Sequence, residues 1–232
     1  MEFLPRADLL ERNGYFGRFC RKWQENRYHP SFSTFRPDEM IVDDDGKSLV
    51  VDQEECDRLN AKMEEEYLAM LDQAFPDHIL PSRMIERKIT AEEESKDEKI
   101  AALSRGLFDI MNQLNWTQIL LISLHPLSPF LEIGQDYEPF KQARLTLESQ
   151  GMPHDFKGGI ILERAEVVTY LPMLLIGVFV QAVPLAFAPS KDQGIFGAFS
   201  DCGMIHTFFS GLIEQRSFEG AATSADLIPE PV

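Results

Sequence analysis

Residues Val167–Ser190 read VVTYLPMLLIGVFVQAVPLAFAPS, an uncharged run of 24 in a chain of 232 residues whose formal net charge at pH 7 is −16. Roughly 20 apolar residues cross a bilayer, and Leu174, Leu175, Ile176, Val178, Phe179 and Val180 make the centre of this run strongly hydrophobic. Other features divide it. Pro172 and Pro184 interrupt it, Gln181 lies inside it, and the stretch from Val178 is rich in β-branched residues and leads to a hairpin-like turn, Pro189 to Gln193. The run therefore reads as the end of a helix over Arg164 to Leu171, a break near Gly177, and a strand over Val178 to Ala188 covered on both faces, where near-continuous hydrophobicity is expected. The alternative is a membrane-anchored protein held through 167–190. Lys157, Arg164 and Lys191 give no charge asymmetry that would orient such a span.

The rest of the chain favours the core. Ile110 to Leu131 is also uncharged but carries Asn112, Gln113, Asn115, Gln118 and His125, which suit a folded interior and its rim. A hydrophobic share of 44% with 26% charged residues is that of an ordinary globular protein. Glu2, Arg6, Asp8 and Glu11 stand where an export signal needs an uncharged stretch. Cys20, Cys56 and Cys202 are far apart with no CxxC pair, which argues against a disulfide framework and a cysteine-rich zinc site. The expected home is the reducing cytoplasm, and no metal or cofactor is expected.

Charge is spread unevenly: residues 1–36 sum to +3, 37–100 to −12 and 101–232 to −7. Asp8-x-x-Glu11 resembles a capping box for a helix over about 8–26, weakened or broken near Asn13-Gly14. Met40 to Val42 and Leu49 to Val51 flank an Asp-Gly turn and read as a hairpin. Asp52-x-x-Glu55 opens an amphipathic helix running through Leu59, Met63, Tyr67, Leu71 and Phe75. Thr90-x-x-Glu93 or Ser95-x-x-Glu98 opens another through Ile100, Leu103, Leu107, Ile110, Met111 and Leu114. Thr117 to Leu124 reads as a buried strand, Tyr137 to Gln150 as a helix, and Ile160 to Leu162 and Gly194 to Ser200 as strands. The predicted fold is a single α+β domain over 1–218, with N-terminal amphipathic helices and a small hairpin packed on a C-terminal mixed or antiparallel sheet. Within it 1–36 is a basic helical arm, 37–116 an acidic hairpin with helices, and 117–218 the apolar sheet-forming core; 219–232 is a flexible tail.

No GxSxG elbow, Walker loop, GxGxxG or HExxH occurs in the sequence. Asp43, Asp44 and Asp45 before Gly46 invite a calcium-loop reading, but with Gly46 at position 6 the first ligand would be Ile41, so a hairpin turn is preferred. Cys202 and His206, four apart, could set a thiol beside an imidazole on a helix; a structural cysteine near a rim histidine is commoner. Six basic residues from Arg12 to Arg36 interleave with Tyr15, Phe16, Phe19, Trp23 and Tyr28, a mixture that can grip phosphates and stack bases. A chain this acidic repels phosphate at range, which disfavours nucleic acid.

The acidic middle carries the preferred function, a non-enzymatic protein-binding protein. A surface including Asp43, Asp44, Asp45, Glu64, Glu65, Glu66, Glu92, Glu93 and Glu94 would steer association with a basic protein, as toxin-neutralising, immunity-like or regulatory partners do. The competing interpretation is an enzyme or small-molecule binder with a pocket in the apolar C-terminal half, using His125, His154, Cys202 and His206 as its polar groups.

Overall fold

Many of the elements follow from those patterns, with several boundaries moved, and others have no counterpart in them. The structure, a computed structural model, describes residues 1–32, 34–42, 48–125 and 137–232. In chain order they are β1 Glu2–Leu4, α1 Arg6–Arg12, α2 Gly14–Arg27, β2 Met40–Val42, β3 Ser48–Val50, α3 Gln53–Met70, β4 Ile85–Thr90, α4 Lys96–Gln113, β5 Gln118–Ser123, α5 Glu138–Ser149, β6 Gly159–Glu163, α6 Val167–Gln181, β7 Leu185–Pro189, β8 Ile195–Phe199, β9 Met204–Phe209, α7 Leu212–Ser224 and β10 Ile228–Pro231. By the density of their contacts the residues divide into two units, Arg21–Asp72 and the remainder, Met1–Cys20 with Gln73–Val232.

The larger unit is α+β, with helices packed on an eight-stranded antiparallel sheet of order β1-β6-β5-β7-β8-β9-β4-β10. Alternation along each strand assigns the two faces. Ile119, Leu121, Ile160, Leu162, Leu185, Phe187, Ile195, Phe199, Ile205, Phe209 and Ile89 share one face through the register, and all join a single core cluster with buried residues of α4, α5, α6 and α7. Leu120, Ile122, Ile161 and Phe196 point the other way yet are also buried, which is why β5, β7 and β8 read as continuous apolar runs. On that second side Phe16 and Phe19 of α2 stack on Phe196 with ring centroids 6.4 and 5.0 Å apart, and Leu9 of α1 fills the space above Gly159.

The uncharged run is a helix and a strand, but the division falls later than expected. The helix passes through Pro172 to Gln181 and ends on Ala182 in the left-handed region at φ 53°, and the strand begins at Leu185 rather than Val178. Val167, Leu171, Leu174, Leu175 and Val178 recur at helical spacing and are buried, so the stripe outweighs the β-branched preference of its second half. Pro172 removes one bond of the ladder, from its own position to Val168; Val168 is exposed, where water can take the freed carbonyl. By length and composition this helix could cross a membrane, Arg164–Gln181 having a mean hydropathy of 1.3. In the structure its apolar stripe lies in the core cluster, and the helix contacts α4 and α5.

Other expectations are corrected at their ends. One N-terminal helix is two, because Asn13 leaves the helical region and its carboxamide oxygen accepts from the Phe16 amide at 3.0 Å, capping α2. Pro5, not Asp8, precedes α1, and no side chain caps it. Asp52 caps α3 through the Glu55 amide at 2.9 Å, yet the helix stops at Met70, before Leu71 and Phe75. Ser95, not Thr90, caps α4 through the Glu98 amide at 3.3 Å. The supposed flexible tail, 219–232, instead holds the end of α7 and the edge strand β10, paired antiparallel with β4. Pro229 and Pro231 lack N–H groups and blunt that edge against further pairing. Nor is the sheet wholly C-terminal, since β1 and β4 belong to it.

The smaller unit holds the second half of α2, the antiparallel pair β2 and β3, and α3. Where the chain enters and leaves it, the Gln24 side chain accepts from the Asp72 amide at 2.9 Å and the Arg21 guanidinium donates to the Asp72 carbonyl at 2.5 Å.

Gly14 and Gly17 have a packing role that offsets their cost to the helix. A Cβ on Gly17 would stand 2.4 Å from the Phe75 ring, and one on Gly14 would stand 2.4 Å from the His78 ring. Residues 75–78 are thus seated on the two glycines. Gly17→Ala is expected to destabilise the protein by about 1 to 3 kcal/mol despite alanine's better helix propensity, because the buried Phe75 ring must move. Urea unfolding of the variant measures it; an unchanged or raised midpoint would contradict the packing.

Candidate functional site

One cleft gathers four separated segments of the larger unit: Tyr15 from α2, Ile79, Leu80 and Pro81 from the loop before β4, Asp192 to Gly194 and Phe196 at the start of β8, and Ser210 with Glu214 at the start of α7. Its volume is about 420 Å³. Each wall has a local cause. Tyr15 stands edge-on to His78 at 4.9 Å, which ties the Ile79–Pro81 loop to α2. The Gly194 amide donates to the Asp192 carboxylate at 3.0 Å, and the Ser210 amide donates to the Gly194 carbonyl at 2.9 Å. Gly194 has φ +63°, and a Cβ there would fall 2.0 Å from the Ser210 hydroxyl, so only glycine fits. Gln193 accepts from the indole N–H of buried Trp116 at 2.6 Å, which fixes the turn to the core.

Among the described residues two carboxylates, Asp192 and Glu214, line this cleft, and no lysine or arginine does. Glu214 lies in the first turn of α7, where a negative charge complements the helix dipole; its Oε2 is 2.7 Å from where a Cβ on the N-cap Gly211 would be. Among the described residues no ion pair engages Asp192 or Glu214. Apolar side chains line one wall: Ile79 is 82% exposed and Leu80 partly so.

The residues singled out in the sequence lie elsewhere. Asp43, Asp44 and Asp45 fall outside the described residues. Glu64, Glu65 and Glu66 are exposed on α3 of the smaller unit, with Lys62 3.6 Å from Glu66. Glu92 and Glu94 are exposed and Glu93 partly buried ahead of α4 in the larger unit. The four polar groups of the alternative pocket are not brought together. His125 follows β5, whereas Cys202 and His206 belong to the β8–β9 hairpin, and β5 and β9 are separated by two strands, roughly 14 Å across the sheet. His154 sits in the loop after α5, sharing the Glu148 carboxylate with Arg144 at 3.0 Å from each. That carboxyl is held below its ordinary range, chiefly by the Arg144 hydrogen bond.

Cys202 is exposed on the turn and its thiol is pushed up, first by the adjacent Asp201 carboxylate, the opposite of what a nucleophilic thiol needs. His206 is in a strand and pairs with Glu86 at 3.5 Å. Phe16 and Phe19 are buried in the ring stack and unable to meet bases. Among the described residues no group of three His, Cys, Asp or Glu could hold a metal.

Burial, and secondarily the Arg6 charge, lower the His125 pKa from 6.5. The unfolded chain therefore takes up this proton at a higher pH than the folded protein. Stability from this group is complete above about 6.5 and is lost as pH falls through the folded value. His125→Asn is expected to reduce the fall in melting temperature between about pH 7.5 and 5.5; an identical fall in parent and variant would contradict it.

A second, more open cleft of about 560 Å³ is lined by Phe3 to Arg6, Gly151, Pro153 and Asp155 to Gly158. It mixes Arg6 and Lys157 with Asp155 and has no single sign of charge. Comparison with protein families, curated proteins and solved structures finds no match for this chain.

Proposed function

We propose that this chain is a non-enzymatic protein-binding protein that recognises a basic partner, of the toxin-neutralising or regulatory kind, through solvated carboxylates. The observation that carries this reading is the set of exposed carboxylates at Glu64 to Glu66 and at Glu92 and Glu94, of which only Glu66 is in an ion pair among the described residues, on a chain of net charge −16. Complementary charge raises the association rate and selects against acidic competitors without any catalytic group. The competing enzyme reading loses support from the geometry, since His125 after β5, His154 in the loop after α5, and Cys202 with His206 on the β8–β9 hairpin fall in three places.

The test is affinity capture from native cytosol at low and high salt, followed by titration of each purified partner. Affinity is expected to fall steeply with salt, and replacing Glu64 to Glu66 and Glu92 to Glu94 by Gln is expected to weaken it roughly tenfold or more. Partners bound equally by parent and variant at every salt concentration would end this reading.

A further inference from the structure

We infer that the cleft formed by Tyr15, Ile79, Leu80, Asp192 and Glu214 is the docking site for an extended basic segment of that partner, a lysine or arginine meeting the two carboxylates and a neighbouring apolar side chain seated against Tyr15 and Ile79. The inference rests on the protein-binding reading and adds one place to it: the cleft seats a single segment of the partner, while the solvated carboxylates at Glu64 to Glu66, Glu92 and Glu94 act on the partner's remaining charge. Charge selects the occupant. Among the described residues the cleft presents two carboxylates and no cation, and Lys191, next in sequence to Asp192, lines a different, much smaller crevice with Trp116 and Gln118. An anionic segment would meet only repulsion there.

Exposed apolar area selects the second half of the motif. Isolated surface apolar residues are ordinary, but Ile79, 82% exposed, and the partly exposed Leu80 line the same cleft as Tyr15, itself 36% exposed, and an apolar patch rimmed by polar groups is the usual form of a protein-docking surface. The walls are also pre-formed. His78 and Phe75 are seated on Gly14 and Gly17, Gln193 is bound to Trp116, and Gly194 lets Ser210 close against β8. Little ordering remains for binding to impose, so the available contacts translate more fully into affinity. An aromatic ring, an aliphatic wall and charge-assisted acceptors are the anchors that a basic and apolar dipeptide requires.

The experiment uses the full chain and a fluorescent peptide alternating Lys with Leu, compared with the same peptide carrying Glu for Lys, by anisotropy at about 50 and about 300 mM NaCl. The Lys peptide is expected to bind and to weaken at the higher salt, and the Glu peptide not to bind. Asp192→Asn with Glu214→Gln is expected to weaken the Lys peptide roughly tenfold, and Ile79→Ser at least about threefold. Replacing Glu64 to Glu66 by Gln should change it less than about twofold. Ile79→Ser is too exposed to threaten folding, so it keeps the test decisive if the double variant is unstable. Loss of binding in the Glu64–Glu66 variant with both cleft variants like the parent would overturn the cleft while leaving the acidic protein-binding reading intact. A Lys peptide indifferent to salt and to every carboxylate substitution would overturn both.

Discussion

Leu174→Asp is expected to leave the protein without a cooperative unfolding transition at room temperature. Leu174 is fully buried on the inner stripe of α6, among Leu171, Leu175 and Val178 and within the same cluster as the sheet's inner face. An isolated carboxylate there either stays charged without a partner or is forced neutral, and each course costs several kcal/mol, comparable with the whole stability of a domain at about 5 to 15 kcal/mol. The control is Val168→Asp, on the exposed side of the same helix, which should fall within about 1 kcal/mol of the parent. Circular dichroism during thermal and urea unfolding reads both. Equal tolerance of the two substitutions would mean that α6 does not face the sheet as described.

Phe187→Ala is expected to cost about 3 to 5 kcal/mol, and the cost should be partly recovered by a second change that is itself harmful. Phe187 lies at the middle of β7 with no exposed surface, its ring 5.1 Å from Phe199. In the neighbouring strand Gly197 is its register partner, and a Cβ on Gly197 would come within 2.3 Å of the Phe187 ring. Gly197→Val alone should therefore destabilise by about 1 to 3 kcal/mol through overpacking. With Phe187→Ala the valine occupies part of the vacated volume and suits the strand better than glycine. The double variant should be more stable than additivity allows by at least about 1 kcal/mol in urea unfolding. Strict additivity would show that ring and glycine do not share that space.

The same packing explains what could and could not be read from the chain. The caps of α3 and α4 were legible because Asp52 and Ser95 act on backbone amides three residues away, a local rule. Strand β5 was legible because burial on both faces leaves a continuous apolar run. Strand β4, IERKIT, was hidden because Arg87 points to the core face and survives there by pairing with Glu219 of α7 at 2.9 Å, so the alternation of apolar and polar residues breaks. Helix α7 was hidden by weak local signals: EGAATSAD resembles a tail until Phe218, Ala221 and Ala222 are seen packed in the core. In α6 the proline and β-branched residues pointed to an early break that burial of the stripe overrode.

The candidate cleft was the least legible part. Its residues come from four regions between positions 15 and 214, and two of its determinants, Gly194 and Gly211, matter only through what lies against them. A local signal existed in the aliphatic pair Ile79-Leu80 set before Pro81, but nothing along the chain joins it to Asp192 or Glu214. Glu64 to Glu66, Glu92 and Glu94, by contrast, were conspicuous in sequence and are exposed in the structure, on two different units.

The division of Val167–Ser190 into a core helix and a core strand is tested most directly by cysteine labelling. With the buried Cys20 and Cys56 replaced by Ala and the exposed Cys202 by Ser, single cysteines are placed at Val168 and at Leu174, and maleimide uptake is followed in native buffer without detergent and again in urea. Val168→Cys should label rapidly in the native protein, whereas Leu174→Cys should label only as the protein unfolds, its rate following the global unfolding equilibrium. Protein found only in membranes, with both positions shielded until detergent is added, would contradict the account and make the run a span.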